Sequence, residues 1–510
     1  MKRAVQTMLA VAAAMALSAC IDLSPHYQRP AAPVAASWPA AASAASAASA
    51  AAPGLPAADI GWRSFFLDAR LRNTIALALT NNRDLRVAIL NIEKERAEYR
   101  IQRASLFPEI DLGGSDDATR TPTSVRSAQS GSTTATNGES GTTTHVYSAN
   151  LGFTSYELDL FGRVRNLSKA ALETYMSTVE TRRSTQISLV SEVASDWLAL
   201  ASDRRLLAIA QATQASEQRT FELVDREHAL GAASALDLAQ AQASLQAARN
   251  SAAQAQTTAE QARNALDLVA GAHVPDADLP DAQVDPVSSI TAIPAGIPSA
   301  VLQRRPDVLA AEHTLKADNA NIGAARANFF PTISLTAALG FESPALAHLF
   351  TGGNRSWSVE PSATLPIFDA GANRATLDAS KATFKIDVAT YEKTIQTAFE
   401  EVANALATRA TIGEQLDAQT RTVQADQHAY DLTMALYKQG SESLLDALTE
   451  QRLLYSAQQS LVATQLSAQT SLITLYAALG GGIDEHDAAA SGSVAVAAAS
   501  SAASAAAAKP

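Results

Sequence analysis

The chain matches itself. Gly162 pairs with Gly371, Arg165 with Arg374, the triplet Glu192-Val193-Ala194 with Glu401-Val402-Ala403, Gly231 with Gly440, Asp237 with Asp446 and Gly271 with Gly480, all at an offset of 209 residues. Upstream, Asp84 pairs with Asp307, Arg103 with Arg326 and Phe107-Pro108 with Phe330-Pro331, now at an offset of 223. The change falls between Pro108 and Gly162, where Gly113 to Thr144 is rich in Ser, Thr and Gly and reads as a loop, longer in the first copy than in the second. So long a period excludes a solenoid of short units. Whatever one half folds into, the other is expected to fold into as well.

Each half changes periodicity along its length. Residues 68–105, 164–230, 234–269, 305–328, 372–439 and 443–479 lack interior proline and are full of strong helix formers, which predicts long helices. Each Phe-Pro dipeptide ends one, because proline excludes the helical conformation at the residue before it. Beyond the second dipeptide, Ile333, Leu335, Ala337, Leu339 and Phe341 alternate with small or polar residues, and Trp357, Val359, Ala363, Leu365 and Ile367 with Ser358, Glu360, Ser362 and Thr364. The first half repeats this with Ile110 and Leu112, then Tyr147, Ala149, Leu151 and Phe153. Tyr156, Leu158 and Leu160 fall on the opposite parity, which predicts a bulge near Thr154.

Strands of ~10 residues with one apolar face suit a transmembrane barrel. A soluble sandwich alternates identically, but nothing else in this sequence reads as a second sheet to pack on. Four strands cannot close a barrel, since small closed barrels need about eight. Several chains are therefore expected to build one together.

Composition narrows the rest. Aromatics make up 5% and charged residues 18%, below the ~25% charged fraction of ordinary domains. Small-residue helix seams are expected rather than an aromatic core, and runs such as residues 240–248 suit coiled-coil walls with polar residues toward a wet interior. A formal charge of -12 argues against a nucleic acid partner. One cysteine and eight scattered histidines, without C-x-x-C or H-E-x-x-H, offer neither disulfide nor metal site. No nucleophile, base and oxyanion set converges, so no enzyme, catalytic residue or cofactor is expected.

Lys2 and Arg3 precede an apolar run over residues 4–17, too short to span a bilayer but right for a secretory signal. It ends in Leu17-Ser18-Ala19-Cys20, a bacterial lipoprotein pattern that predicts removal of residues 1–19 and acylation, palmitate included, of Cys20. No aspartate follows Cys20 directly, which leans toward the outer membrane. Residues 20–61 read as a lipid-anchored tether and 483–510 as a disordered Ala/Ser tail.

Three stretches carry a family resemblance: Cys20 to Pro30; Ile297-Pro-Ser-Ala-Val-Leu-Gln-Arg-Arg-Pro-Asp307 running on to Asn328-Phe-Phe-Pro-Thr-Ile-Ser-Leu335; and Leu365-Pro-Ile-Phe-Asp-Ala-Gly-Ala-Asn373. In these the chain resembles the outer membrane factor family, the TolC-like efflux exit channels, and within it the NodT lipoprotein branch. The resemblance implies an α+β membrane protein. It would be a homotrimer with four strands per chain in a twelve-stranded transmembrane β-barrel, continued by a long α-helical periplasmic barrel. A first repeat would occupy residues 62–271, with a β-hairpin about 107–161 and a helical tip about 231. After a linker at 272–297, a second would occupy 298–482, with a β-hairpin about 331–368 and a tip about 440. The implied function is the passive outer-membrane exit of a tripartite system, fed by an inner-membrane resistance-nodulation-division pump through a periplasmic membrane-fusion adaptor. The alternative is a structural envelope lipoprotein or helical scaffold without transport.

The resemblance also assigns residues. Gly231, Ser234, Gly440 and Ser443 fall at the tips that would meet the adaptor. Leu445 and Arg452 fall where the lipoprotein branch often places a constricting leucine and an arginine of the periplasmic gate. Thr449 falls where many members carry a gating aspartate. Asp446 is the carboxylate one turn away, rotated ~300° around the helix from Thr449. Asp237 and Asp446 also read as helix N-terminal charges that complement the macrodipole.

Overall fold

The computed structural model describes residues 22–36, 38, 60–121, 142–288 and 299–481. The segment expected to be a signal, Cys20 and the Ala/Ser tail lie outside the described residues. In chain order the elements are α1 (Trp62–Phe65), α2 (Ala69–Asn81), α3 (Arg83–Ala104), β1 (Asp111–Thr121), β2 (Thr142–Glu157), α4 (Arg163–Ala229), α5 (Ala235–Ala270), α6 (Pro306–Ala327), β3 (Thr332–Ser343), β4 (Arg355–Thr364), α7 (Ala372–Lys438) and α8 (Leu444–Ala478). The order from α3 to α5 recurs from α6 to α8. Matched helices have 22 and 22, 67 and 67, and 36 and 35 residues.

Three expectations about elements need correction. The helix expected over residues 68–105 is broken, because Asn82 is extended at φ -60° and ψ 134°. Its side chain accepts from the Leu85 amide at 2.9 Å and donates to the Val269 carbonyl at 2.8 Å. Those bonds fix a non-helical residue where local propensity alone favours continuation. The long loop expected from Gly113 to Thr144 is in part strand, since β1 reaches Thr121 and β2 starts at Thr142. Pairing against β2 overrides the poor strand propensity of Gly113, Gly114 and Asp116, aided by a Ser115–Ser148 hydroxyl bond of 2.9 Å. Leu365 and Ile367 lie beyond β4, whose last pair is Thr332 with Thr364.

The sheet is antiparallel in the order β1-β2-β3-β4. Its register sets Leu112 opposite Leu151, Leu151 opposite Leu339, and Leu339 opposite Trp357. An apolar row therefore crosses all four strands. One residue along, Gly113, Asn150, Gly340 and Ser356 form a small and polar row on the other face. The register shifts between Phe153 and Tyr156, where Ser155 takes φ 55° and its amide donates to Thr336 Oγ1 at 3.1 Å. That bulge is what moves Tyr156 to the opposite parity.

The chain forms two compact units, each drawing on both halves of the sequence. Among the described residues, one gathers those up to Arg29 and those within Glu93–Met176 and His313–Ala389; the other gathers those within Pro30–Ile92 and Ser177–Glu312 and those from Thr390 on. In the first, Asn166 Nδ2 donates to Asp22 Oδ1 at 3.0 Å, Asn319 Nδ2 to the Pro25 carbonyl at 2.7 Å and Arg326 Nη1 to the Leu23 carbonyl at 3.0 Å. The segment just after Cys20 is thus tied to α4 and α6. The sheet belongs to this unit.

The second unit holds the main hydrophobic core, and here the expectation of small-residue seams is only partly met. The few aromatics are concentrated: Trp38, Trp62, Phe65, Phe66, Trp197 and Tyr476 pack together, with Phe65 and Tyr476 stacked at 3.9 Å. Average composition hides such local enrichment. The Arg-Arg-Pro-Asp stretch caps α6 in this unit. Pro306 is the first helical residue, where its missing N–H costs nothing. Arg305 forks onto both oxygens of Asp307 at 3.0 and 2.7 Å, and reaches Glu401 at 2.7 Å and the Ala478 carbonyl at 2.9 Å. One guanidinium thus joins the start of α6, the middle of α7 and the end of α8.

Candidate functional site

The candidate residues gather at the two helical reversals of the second unit. α4 ends at Ala229, and Gly231, at φ 76°, closes the turn after it, with the Ala232 amide bonded back to the Glu227 carbonyl at 2.8 Å. α7 ends at Lys438 and its turn is closed the same way by Gly440, φ 75°, with the Ser441 amide on the Leu436 carbonyl at 3.0 Å. A side chain at either position would strain the left-handed backbone, so glycine terminates both helices.

Each reversal restarts on a serine. Ser234 Oγ accepts from the Asp237 amide at 3.1 Å while Asp237 Oδ2 accepts from the Ser234 amide at 3.1 Å, a reciprocal capping box. Ser443 Oγ accepts from the Asp446 amide at 3.2 Å and donates to Asp446 Oδ2 at 2.5 Å. Asp446 is therefore engaged in a helix cap, apart from the other three assigned gate residues. Beneath the tips Val224, Ala241, Leu444 and Leu448 are buried, with Phe221, Leu238 and Tyr437 packed on them.

Leu445, Thr449 and Arg452 form one stripe along α8. Leu445 is 51% exposed. The Thr449 hydroxyl donates to the Leu445 carbonyl at 2.7 Å and accepts from Arg452 Nη2 at 3.2 Å; Arg452 Nε donates to the Leu448 carbonyl at 3.3 Å. Thr449 thus orients Arg452, a task its hydroxyl can perform without charge.

Two features of this region have no signal in the sequence. Tyr437 donates its hydroxyl to Glu227 Oε2 at 2.9 Å, joining α7 to α4 just below the tips. Burial, then the Glu227 carboxylate and nearby Asp237, push the Tyr437 phenol above its usual range. Only its place three residues before Gly440 could have drawn attention to it. Deeper along α4, Glu217 is 4% exposed and its Oε2 has no hydrogen-bond partner among the described residues. Burial pushes its carboxyl up to about 7, against the opposing charge of Arg452.

Among the described residues no cluster of His, Cys, Asp and Glu could hold a metal, and no helix is long and apolar enough to cross a membrane. The latter says nothing about strands.

Known proteins resemble the chain over nearly its whole length. The family model for outer membrane efflux protein matches residues 74–272 and 297–481. A probable efflux pump outer membrane protein, TtgC of Pseudomonas putida, is 47% identical over 478 residues, covering 94% of this chain and 96% of that one. Outer membrane protein OprJ of Pseudomonas aeruginosa is 40% identical, covering 92% and 95%. Among solved structures, the open state of the MtrE outer membrane channel of Neisseria gonorrhoeae superposes with a TM-score of 0.78 at 35% identity, covering 90% of this chain and 98% of that one.

Proposed function

The chain belongs to the outer membrane efflux protein family, and from that premise we propose that it is a passive, gated exit channel built from three copies of itself. The observation that carries this reading is the apolar row Leu112, Leu151, Leu339 and Trp357, continuous across a sheet whose edges are β1 and β4. In lipid an open sheet edge leaves backbone N–H and C=O groups unsatisfied, and only closure removes the edge. Three four-stranded sheets joined edge to edge give twelve strands, an even number in the range of outer-membrane barrels. The apolar rows then face lipid, and the rows of Gly113, Asn150, Gly340 and Ser356 face the lumen.

The two halves act as structural repeats, each supplying one β-hairpin and one long helical hairpin. Acylation of Cys20 anchors the chain in the outer membrane, and the bonds of Asp22, Leu23 and Pro25 to α4 and α6 hold the tether against the body. The helical tips at Gly231, Ser234, Gly440 and Ser443 meet a periplasmic adaptor, which links the channel to an inner-membrane resistance-nodulation-division pump. No bond is made or broken, and the pump supplies the energy.

Leu445 and Arg452 narrow the entrance, each present three times around the axis. Asp446 serves the cap, and Thr449 positions Arg452 rather than binding cations. The test is single-channel conductance in planar bilayers. Leu445→Ala and Arg452→Ala should each raise conductance over the parent, with unchanged trimer yield. Arg452→Ala removes charge-assisted bonds contributing roughly 1.5–3 kcal/mol per site. Thr449→Ala should raise it less. Parent-like conductance in both larger variants, or a greater opening by Thr449→Ala, contradicts this gate. A parent that inserts no channels contradicts the transport reading as a whole and favours a structural lipoprotein.

A further inference from the structure

We propose that a cavity of about 330 Å³ bounded by α4, α5 and α8 is a binding site for a small organic ammonium ion. Its distinguishing feature is a pair of orphan acceptors on different helices. Glu217 on α4 is 4% exposed and Gln451 on α8 is 5% exposed; Glu217 Oε2 and Gln451 Oε1 are both buried without a hydrogen-bond partner among the described residues. Buried acceptors normally find donors, so two facing one space define what is missing there: a donor, and for the carboxylate preferably a cation.

The walls set the rest of the ligand. α5 lines the space with alanine and serine only, Ala243, Ser244, Ala247, Ala248 and Ser251, and so brings no charge. α4 adds Ala210 and Thr213 beside Glu217, and α8 adds Tyr455 and Arg452. Among the described residues Arg452 is the one cation on the lining, but its hydrogen bonds go to Thr449 and the Leu448 carbonyl, and it acts on Glu217 through its field. The volume lies at the lower end of small-molecule pockets, about 300–1,000 Å³. An ammonium group on a compact apolar body meets all these conditions, as a bulky or anionic ligand does not. Because burial pushes the Glu217 carboxyl up to about 7, an ammonium ion beside it favours the ionised form and displaces its proton.

The site lies within one chain and does not depend on the channel reading. The full-length protein in detergent is titrated with benzylammonium chloride by isothermal calorimetry at pH 8, with benzyl alcohol as the neutral counterpart. Saturable binding at one site per chain is expected, at least tenfold weaker at pH 5.5 and at least tenfold weaker in Glu217→Gln. Ala248→Leu, which fills the space from α5 and leaves the carboxylate in place, should abolish it. Arg452→Ala should tighten it by removing the competing cation. Thermal melts establish that each variant is folded. No saturable heat with the parent, equal binding of benzyl alcohol, or undiminished binding in folded Glu217→Gln or Ala248→Leu overturns the proposal.

Discussion

In the helical unit Trp62, Phe65, Leu71 and Leu266 are fully buried, whereas in the sheet Leu112 is 80% and Trp357 77% exposed. The same chain thus satisfies its apolar residues internally in one region and presents them in the other. Burial in the helical core needs nothing beyond the chain's own helices and loops. Among the described residues the sheet is unfinished in two senses, with an apolar face uncovered and two edges unpaired. On the proposed reading, lipid completes the face and further copies of the chain complete the edges.

The sharpest way to break this comparison is to charge each face of the sheet in turn. Leu339→Arg on the apolar row should cost ~2–4 kcal/mol per chain near the bilayer midplane, repeated in every copy, and should abolish assembled protein in outer-membrane fractions. Ser358→Arg, two residues from Glu360 on the opposite face, should assemble as the parent does. Equal loss from both substitutions would mean that the faces do not differ in solvent.

The helical side is probed by truncation. Leu266→Ala should lower unfolding stability by about 2–5 kcal/mol, read as a fall in melting temperature of the helical circular dichroism signal, without excluding the sheet from the membrane. A change of less than 0.5 kcal/mol, on the order of a surface substitution, would show that the aromatic and leucine core is not where this region derives its stability.

A third test uses pH. Glu217 titrates at about 7 in the folded chain against a reference of 4.5, so between those values the folded state holds a proton that the unfolded state has released. Its contribution to stability is therefore most favourable below pH 4.5 and falls as pH rises to 7. At ~1.4 kcal/mol per pKa unit the difference is about 3 kcal/mol. Glu217→Gln should raise stability at pH 8 relative to the parent and lose that advantage at pH 4.5. A pH-independent difference between the two proteins would contradict the burial of an ionisable group there.

The smallest effects belong to the tips. Asp237→Ala and Asp446→Ala each remove a first-turn carboxylate and should cost about 0.3–1 kcal/mol, with Asp237 the larger because it also accepts from the cap serine's amide. Hydrogen exchange at the first turns of α5 and α8 would report the order. The reverse order would mean that the short Ser443–Asp446 bond outweighs the second bond of the box.

Much of the sheet was legible in the sequence because a period of two exposes it directly, including the phase slip that the bulge at Ser155 explains. The ends of strands were less so. Gly113, Gly114 and Asp116 carry loop chemistry, and only the ladder to β2 makes them strand. The break at Asn82 was invisible for the same kind of reason, since the Val269 carbonyl that holds its side chain lies 187 residues away. At the tips, glycine followed three residues later by serine announced two helix reversals. The stripe of Leu445, Thr449 and Arg452 follows from helical spacing, while the contact of Thr449 with Arg452 does not. Glu217 carries no local signal, because its significance arises from α8 residues more than a full repeat away.

The central claim is that the sheet is one third of a closed barrel, and the number of chains in the assembled particle tests it most directly. Protein extracted from outer membranes in mild detergent and measured by native mass spectrometry should release three chains per particle, each carrying acyl mass on Cys20. A stable monomer would contradict the account, because one chain's β1 and β4 edges would then have to face lipid unpaired.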